Sequence, residues 1–219
     1  MKDLRGKNAV LTGASRGLGP YIARALAQKG VNLALTARTA DAVEATAKEA
    51  IALGVNAVAI PLDVTEPADR QRLLEGAVAA NGPIDILINN AGIEWVCKYT
   101  TMSAEQIEQM IQTNLVAPLI LSRIVLHDMI ARGSGHVVMM SSLGGKKGSP
   151  YSATYAATKA GLIEWTSGVR EELRGTGVSA SVGRLSFVSF PSANRKSPSQ
   201  FQSRPGPCSS KSSVKAAFT

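Results

Sequence analysis

The sequence predicts an α/β fold in which a parallel sheet is covered by helices on both faces. Short apolar runs rich in β-branched residues alternate with longer segments of helical periodicity along most of the chain. The apolar runs are continuous, as expected for strands that are buried on both sides. The connections between them are short, which favours strand–helix–strand units over separate α and β domains.

Six strands and five helices are predicted. The strands cover residues 8–12, 31–37, 55–62, 85–89, 136–141 and 178–182, and the helices cover residues 18–29, 39–53, 65–81, 103–131 and 152–174. Thr39 and Thr65 are predicted as N-caps because a hydroxyl can accept a bond from a free amide of the first turn. Ser103 and Gln106 have the spacing of a capping box at the start of the long fourth helix.

The composition of the chain changes near residue 183. Six of the 24 basic residues lie in 184–219, where none of the 16 acidic residues is found. This segment is rich in serine and proline and has no sustained periodicity, which is typical of disordered chains. We therefore predict a folded domain over 1–183 and an atypical, disordered tail over 184–219. Because the net charge of +8 belongs mainly to the tail, the body gives no reason to expect nucleic-acid binding.

The composition indicates neither a metal site nor a membrane protein. Cys97 and Cys208 have no CxxC spacing and no Cys/His cluster near them, so two unpaired thiols in a reducing compartment are expected. The apolar stretch 115–130 contains Arg123, His127 and Asp128, which favours a buried helix over a membrane span. The N-terminus lacks the long apolar segment of a signal peptide, and a cytoplasmic location is expected.

A glycine-rich run, TGASRGLG over residues 12–19, stands where the first strand turns into the first helix. Glycines at such a turn let the backbone approach a pyrophosphate, toward which the helix N-terminus directs its amides. The alternative is a tight structural turn. The candidate phosphate-binding residues are Gly13, Ser15, Arg16, Gly17, Leu18 and Gly19.

Further candidates follow the second and fourth strands. Arg38 stands beside the position where an NAD enzyme usually has an acid, and Arg16 lies in the glycine loop. Two guanidinium groups suit a ribose 2′-phosphate, although both could simply be solvated. Asn90, Ala91 and Gly92 complete an NNAG run after the fourth strand, which alone would suggest only a turn.

Tyr155 and Lys159 lie four residues apart on the last predicted helix, so their side chains share a face. This spacing alone arises easily by chance. Ser142 follows the fifth strand, thirteen residues before Tyr155, and Asn114 lies in the long fourth helix. A phenol can serve as general acid or base toward a carbonyl oxygen, and we expect the ammonium of Lys159, together with a positive nicotinamide ring, to lower its pKa. Tyr151 is a rival that has no lysine four residues on.

The glycine loop, the NNAG run and the Asn–Ser–Tyr–Lys set together resemble the short-chain dehydrogenase/reductase family, over about residues 5–182. The resemblance is to its 3-oxoacyl-reductase-like members. It implies a Rossmann-type doubly wound parallel sheet, here with six strands and the usual seventh absent. It also implies that NADP(H) is the preferred cofactor, with NAD(H) possible, and that the chain forms a homodimer or homotetramer.

The resemblance also implies roles for single residues. Asp63, with Val64 beside it, would contact the adenine, although Asp63 could equally cap a helix. Tyr155 would be the general acid/base and Ser142 would orient the carbonyl oxygen. Lys159 would also bind the nicotinamide ribose, and Asn114 would position a water.

The function expected from these residues is hydride transfer between NADP(H) and a ketone or secondary alcohol. One alternative is a cofactor-binding protein with impaired catalysis, because the segment after residue 183 does not resemble the family's substrate region. A shifted reading frame would explain such an ending. A third alternative is an interaction protein that uses its basic tail. The substrate cannot be read from the sequence, although Lys146 and Lys147 would suit an anionic one.

Overall fold

The computed structural model describes residues 3–185 and the backbone of residues 209–210. The strands in these residues are β1 (Asn8–Thr12), β2 (Asn32–Thr36), β3 (Ala57–Ala59), β4 (Ile86–Asn89), β5 (Trp95–Val96), β6 (Gly135–Ser142), β7 (Val178–Leu185) and β8 (Ser209–Ser210). The α-helices are α1 (Gly19–Ala27), α2 (Ala40–Ala52), α3 (Pro67–Asn81), α4 (Ala104–Ile111), α5 (Ala117–Ala131) and α6 (Ala153–Glu172).

Six of the strands form one parallel sheet in the order β3-β2-β1-β4-β6-β7. The chain moves outward from β1 to β3 and then returns to place β4 on the other side of β1. A crevice therefore opens between β1 and β4 at the carboxyl ends of the strands, where doubly wound sheets bind their ligands. This architecture confirms the predicted Rossmann-type fold.

Two apolar layers cover the sheet, one on each face. Val10 belongs to the layer formed with α3, α5 and α6, whose buried side chains include Leu73 and Leu121. The next residue, Leu11, belongs to the layer formed with α1 and α2, where Ala23 and Val43 are buried. Successive residues of a strand point to opposite faces, so the continuous apolar runs of the sequence serve both layers.

Helical structure continues from Ala104 to Ala131, and this stretch is long and apolar enough to cross a membrane by length and composition alone. Leu121, Val125 and Met129 are buried against the sheet. The stretch is therefore packed as a core helix. It is also not one regular α-helix, as the periodicity had predicted, because residues Gln112–Val116 form a π-helical turn between α4 and α5.

Several predicted boundaries are wrong for local reasons. The predicted third strand shrinks to Ala57–Ala59, the residues that pair in register with β2. The hydroxyl of Thr65 donates to Asp63 at 2.8 Å and does not cap α3, whose N-cap residue is Glu66. By contrast, both hydrogen bonds of the predicted capping box between Ser103 and Gln106 are present.

The last strand of the parallel sheet, β7, ends at Leu185, beyond the predicted end at residue 182. Its pairing with β6 continues to the end of both strands, where Leu185 lies opposite Ser142. The short strand β8 pairs antiparallel with β5. The remainder of the predicted tail, residues 186–208 and 211–219, lies outside the described residues.

The expectation of two unpaired thiols is wrong for Cys97, which is disulfide-bonded. Its side chain is buried, with 1% of its surface exposed. Its backbone amide donates to the carbonyl of Tyr151 at 3.1 Å. Cys208 lies outside the described residues.

Candidate active site

A cleft of about 540 Å³ opens above the carboxyl ends of β1 and β4, within the range typical of ligand pockets. All but three of the site residues predicted from the sequence line it. The residues that do so are Gly13, Ser15, Arg16, Gly17, Leu18, Arg38, Asp63, Val64, Asn90, Ala91, Gly92, Tyr155 and Lys159. The other three contact residues of the lining: Gly19 packs on Gly13, Asn114 hydrogen-bonds Ile93, and Ser142 hydrogen-bonds Tyr155.

The glycine loop is closely packed on its inner side. Gly13 has a φ of +68°, and a Cβ there would lie 2.8 Å from the Cα of Ala91. A Cβ on Gly19 would overlap the carbonyl oxygen of Gly13. Gly17 has a φ of +62°, and a Cβ there would meet no atom within 4 Å. The first and third glycines therefore permit close backbone packing, while the second permits a left-handed turn facing open space.

The N-terminus of α1 fits the phosphate groups of a dinucleotide. Leu18 is its N-cap residue and has no side-chain acceptor for the amides of the first turn. The first turn also contains no acidic residue. Amides in this arrangement, together with the positive end of the helix dipole, favour an anion.

Two loops are joined across the crevice by hydrogen bonds between the residues that follow β1 and β4. The hydroxyl of Thr12 accepts from the amides of Asn90 and Ala91, each at 3.0 Å. The side-chain amide of Asn90 donates back to the carbonyls of Thr12 and Gly13 at 3.0 and 3.1 Å. The predicted NNAG run therefore holds the glycine loop in place.

The charged residues at the β2 and β3 end of the cleft include two arginines and one acid. Arg16 is exposed, and the side chain of Arg38 is 54% exposed with its Nη1 3.8 Å from Asp63 Oδ2. Asp63 Oδ1 also accepts from the amide and hydroxyl of Thr65 at 2.9 and 2.8 Å. Asp63 thus orders the turn before α3 while lining the cleft. It does not cap α3, whose N-cap residue is Glu66, and its contact with the adenine stays a prediction.

Tyr155 and Lys159 lie one turn apart on α6, and both are buried, with 6% and 5% of their surfaces exposed. Lys159 Nζ donates to the carbonyl of Met140 at 2.8 Å and lies 5.6 Å from the centre of the Tyr155 ring. The rival Tyr151 is 41% exposed. It does not line the cleft, and its φ of 70° lies in the left-handed region.

Asn114 lies in the π-helical turn and is fully buried. Its side chain accepts from the amide of Ile93 and donates to the carbonyl of the same residue, both at 2.8 Å. It also donates to the hydroxyl of Thr158 at 3.3 Å. Asn114 therefore joins the loop after β4 to the helix that bears Tyr155 and Lys159, and π-helical turns occur frequently at functional sites.

The two serines at the end of β6 have different partners. Ser142 accepts from the amide of Gly144 at 3.1 Å and hydrogen-bonds Tyr155. Ser141 is buried and donates to the carbonyl of Lys159 at 2.7 Å. The contact with the phenol distinguishes Ser142 from its neighbour, as the alternation along a strand suggested.

The protein groups by themselves raise the pKa of Tyr155, so the lowering expected from Lys159 together with the nicotinamide ring stays a prediction. Burial, reinforced by the carboxylate of Glu94, raises the pKa of Tyr155 to about 12, while its bond to Ser142 acts in the opposite direction. Burial lowers the pKa of Lys159 to about 8, against the effect of Glu94. The removal of water from the phenolate is therefore the main cause of the raised pKa of Tyr155.

Glu94 also belongs to the site, although no motif in the sequence predicts it. Glu94 lines the cleft together with Ile93 and Trp95, and its Oε1 accepts from the hydroxyl of Ser152 at 2.9 Å. A single acid after the NNAG run carries no recognisable spacing, because its partner is 58 residues away. Leu185, at the end of β7, also lines the cleft.

Comparison with known proteins places these features in a family. The family model described as short chain dehydrogenase matches residues 7–200, which extends the resemblance beyond the residue 182 expected from the sequence. The chain is 45% identical over 189 residues to a protein named ketoacyl reductase HetN from Nostoc sp., covering 86% of this chain and 66% of that one. It is 35% identical to 3-oxoacyl-[acyl-carrier-protein] reductase FabG of Escherichia coli, covering 85% and 75% of the two chains.

Two solved structures that resemble this chain are also described as short-chain oxidoreductases or dehydrogenases. A metagenomic short-chain oxidoreductase in complex with NADP superimposes with a TM-score of 0.79 at 37% identity, covering 83% of each chain. A structure titled as a putative short-chain alcohol dehydrogenase from Sinorhizobium meliloti gives a TM-score of 0.81 at 31% identity, covering 85% of this chain and 74% of that one. Together with the cleft and its residues, these matches establish that the chain belongs to the short-chain dehydrogenase family of oxidoreductases.

Proposed function

We propose that this protein transfers hydride between NADP(H) and a ketone or secondary alcohol, with Tyr155 as the general acid/base. The observation that supports this most strongly is the shared cleft. The glycine loop, with its uncapped helix N-terminus, and the buried Tyr155–Lys159 pair line one cavity. A dinucleotide bound on the loop would extend toward the phenol, as the crevice of a doubly wound sheet allows.

The preference for NADP(H) rests on the residues after β2. Ala37, Arg38 and Thr39 line the cleft there, and none of them is an acid that could bind a ribose 2′-hydroxyl. The exposed guanidinium groups of Arg16 and Arg38 are suited to a 2′-phosphate. The weak ion pair of Arg38 with Asp63, at 3.8 Å, leaves donors of the guanidinium for such a contact.

The bound NADPH would supply the hydride to the carbonyl carbon. Negative charge then grows on the carbonyl oxygen, and a nearby donor must stabilise and protonate it. Tyr155, with a pKa raised to about 12, holds its proton at neutral pH and can donate it. Ser142 hydrogen-bonds this phenol and would orient the same oxygen. Lys159 would contribute positive charge and bind the nicotinamide ribose.

The relatives' names suggest where a substrate search should begin. Two of them are named as reductases of ketoacyl or 3-oxoacyl groups, so we propose a 3-oxoacyl thioester as the first ketone to test. We also propose a cytoplasmic homodimer or homotetramer, which light scattering of the purified protein can test. This chain spans 66% of the first relative's length, and the activity in that relative's name is therefore only a proposal for this chain.

A fluorescence titration with NADPH and NADH, followed by a ketone panel, tests this proposal. NADPH is expected to bind more tightly than NADH, and at least one ketone is expected to be reduced. Arg38→Gln should weaken NADPH binding about 10- to 150-fold, since hydrogen bonds to charged groups contribute about 1.5–3 kcal/mol, while NADH binding should change little. Arg24→Gln, which removes an exposed arginine of α1 paired with Glu49, is the control.

Two outcomes would contradict different parts of the proposal. Failure to bind either nucleotide would refute the assignment of the cleft. NADPH binding without reduction of any ketone would instead select a cofactor-binding protein with impaired catalysis.

A further inference from the structure

The disulfide-bonded Cys97 lies beside the wall of the cleft, immediately after β5. Its side chain is buried, with 1% of its surface exposed. Trp95, two residues earlier, lines the cleft. The backbone amide of Cys97 donates to the carbonyl of Tyr151 at 3.1 Å, and Tyr151 stands two residues before the start of α6. A covalent bond at Cys97 therefore acts on the segment that joins the cleft wall to the start of α6.

The strand β8 indicates which cysteine is the partner of Cys97. In the antiparallel pair of β5 and β8, Val96 lies opposite Ser209. One step further in this register, the residue opposite Cys97 is Cys208. Opposite residues of an antiparallel pair have Cα atoms about 4.5–5.5 Å apart, within the range of about 4.4–6.8 Å that suits a disulfide. Because the sequence contains two cysteines, Cys208 is also the one partner that the chain itself can offer.

The pairing of β5 with β8 is short. Each strand contributes two residues, whereas strands of globular proteins usually have about 3–10 residues. So few hydrogen bonds do little to offset the entropy lost when the chain is ordered. A covalent bond next to the pair would keep the two strands at a high effective concentration. We therefore expect β8 to stay on β5 while the disulfide is intact and to separate from it after reduction.

We propose that Cys97 and Cys208 form a reversible disulfide, and that this bond makes the attachment of β8 to the cleft wall depend on the redox state of the surroundings. Disulfides of cytoplasmic proteins are usually transient, catalytic or redox-sensing, so the bond would respond to conditions in the proposed cytoplasmic location. The inference goes beyond the proposed hydride transfer, because it concerns one covalent bond and the strand that the bond retains.

The bond would form by exchange with a low-molecular-weight disulfide. The thiolate of one cysteine attacks a sulfur of that disulfide, which gives a mixed disulfide and releases one small thiol. The thiolate of the other cysteine then attacks the mixed disulfide, which forms the Cys97–Cys208 bond and releases the second small thiol. Two electrons pass from the cysteine pair to the small disulfide, and the two thiol protons end on the released thiols. A dithiol reverses both steps.

Peptide mapping tests the bond itself. The protein is oxidised with glutathione disulfide, alkylated and digested with trypsin without reductant. Tryptic cleavage places Cys97 in the peptide 73–98 and Cys208 in the peptide 197–211. These peptides should be joined in protein that runs as a monomer on a non-reducing gel, and dithiothreitol should separate them. Unlinked peptides, or peptides joined only in a covalent dimer, would overturn the inference.

The unfolding temperature tests whether the bond holds the folded chain together. A disulfide between Cys97 and Cys208 would close a loop of about 110 residues, and closing a long loop stabilises the folded state. Reduction should therefore lower the unfolding midpoint by about 4–16 °C for a chain of this size. Cys208→Ser should show the lower midpoint with or without dithiothreitol. Equal midpoints of the oxidised and reduced unaltered protein would count against the inference.

The fluorescence of Trp95 tests whether β8 leaves the cleft wall. The sequence contains two tryptophans, so Trp165→Phe leaves Trp95 as the single reporter, and no nucleotide or substrate is needed. Reduction should shift its emission to longer wavelength, because Trp95 gains contact with water when β8 separates from β5. With Cys208→Ser added as the control, dithiothreitol should change nothing. An emission spectrum that is the same before and after complete reduction would refute redox control of the cleft wall, even if peptide mapping finds the bond.

Discussion

Replacing Gly13 by alanine should destabilise the fold much more than the same change at Gly17. Both glycines have positive φ, at +68° and +62°, and this conformation costs an L-residue about 1–2 kcal/mol. Only at Gly13 would the new methyl group meet backbone, at 2.8 Å from the Cα and 3.0 Å from the amide nitrogen of Ala91. Overpacking against such a neighbour adds about 1–3 kcal/mol.

Urea unfolding of the two variants measures the difference. Gly13→Ala should lose about 2–5 kcal/mol of unfolding free energy, and Gly17→Ala about 1–2 kcal/mol. Both variants place alanine at a positive φ and so carry a similar backbone strain. The additional loss of unfolding free energy in Gly13→Ala therefore reports the contact between the glycine loop and the NNAG run. Equal losses in both variants would refute the close approach of these loops.

Three further outcomes are expected from other parts of the chain. Ser103→Ala removes the α4 capping box and should lower the free energy of unfolding by about 1 kcal/mol; urea titration checks this. Asn114→Ala leaves two partly buried backbone groups of Ile93 without this partner, and calorimetry should show a loss of about 2–4 kcal/mol. Burial lowers the pKa of His136 below its usual value of 6.5, so an unfolded chain protonates first as pH falls, and stability should decrease below about pH 6.5. His136→Asn should flatten that dependence in acid-range unfolding curves, whereas the exposed His127→Asn should not.

Much of the fold was predictable because its signals are local. Strand β1 occupies the predicted residues 8–12, since a continuous apolar run between polar flanks identifies a central strand. The capping box at Ser103 needs only residues three apart. The glycine loop needs only its position between a strand and a helix. These features depend on neighbours in sequence, which the sequence alone displays.

The features that were missed depend on partners far along the chain. Strand β7 extends to Leu185 because β6 continues to offer hydrogen bonds there. The π-helical turn that holds Asn114 interrupts a helix whose periodicity gave no sign of a break. Glu94 belongs to the site through Ser152 and the cleft. The raised pKa of Tyr155 follows from burial, which residue spacing does not reveal.

The most direct test of the central claim is Tyr155→Phe in the presence of NADPH and a working ketone. The hydroxyl contributes little to packing, so NADPH affinity and the unfolding midpoint should stay close to those of the unaltered protein. Single-turnover oxidation of NADPH should slow by about 10²–10⁴-fold, because general acid catalysis contributes that factor. A variant that binds NADPH normally and retains more than a few per cent of the turnover rate would contradict the assignment of Tyr155.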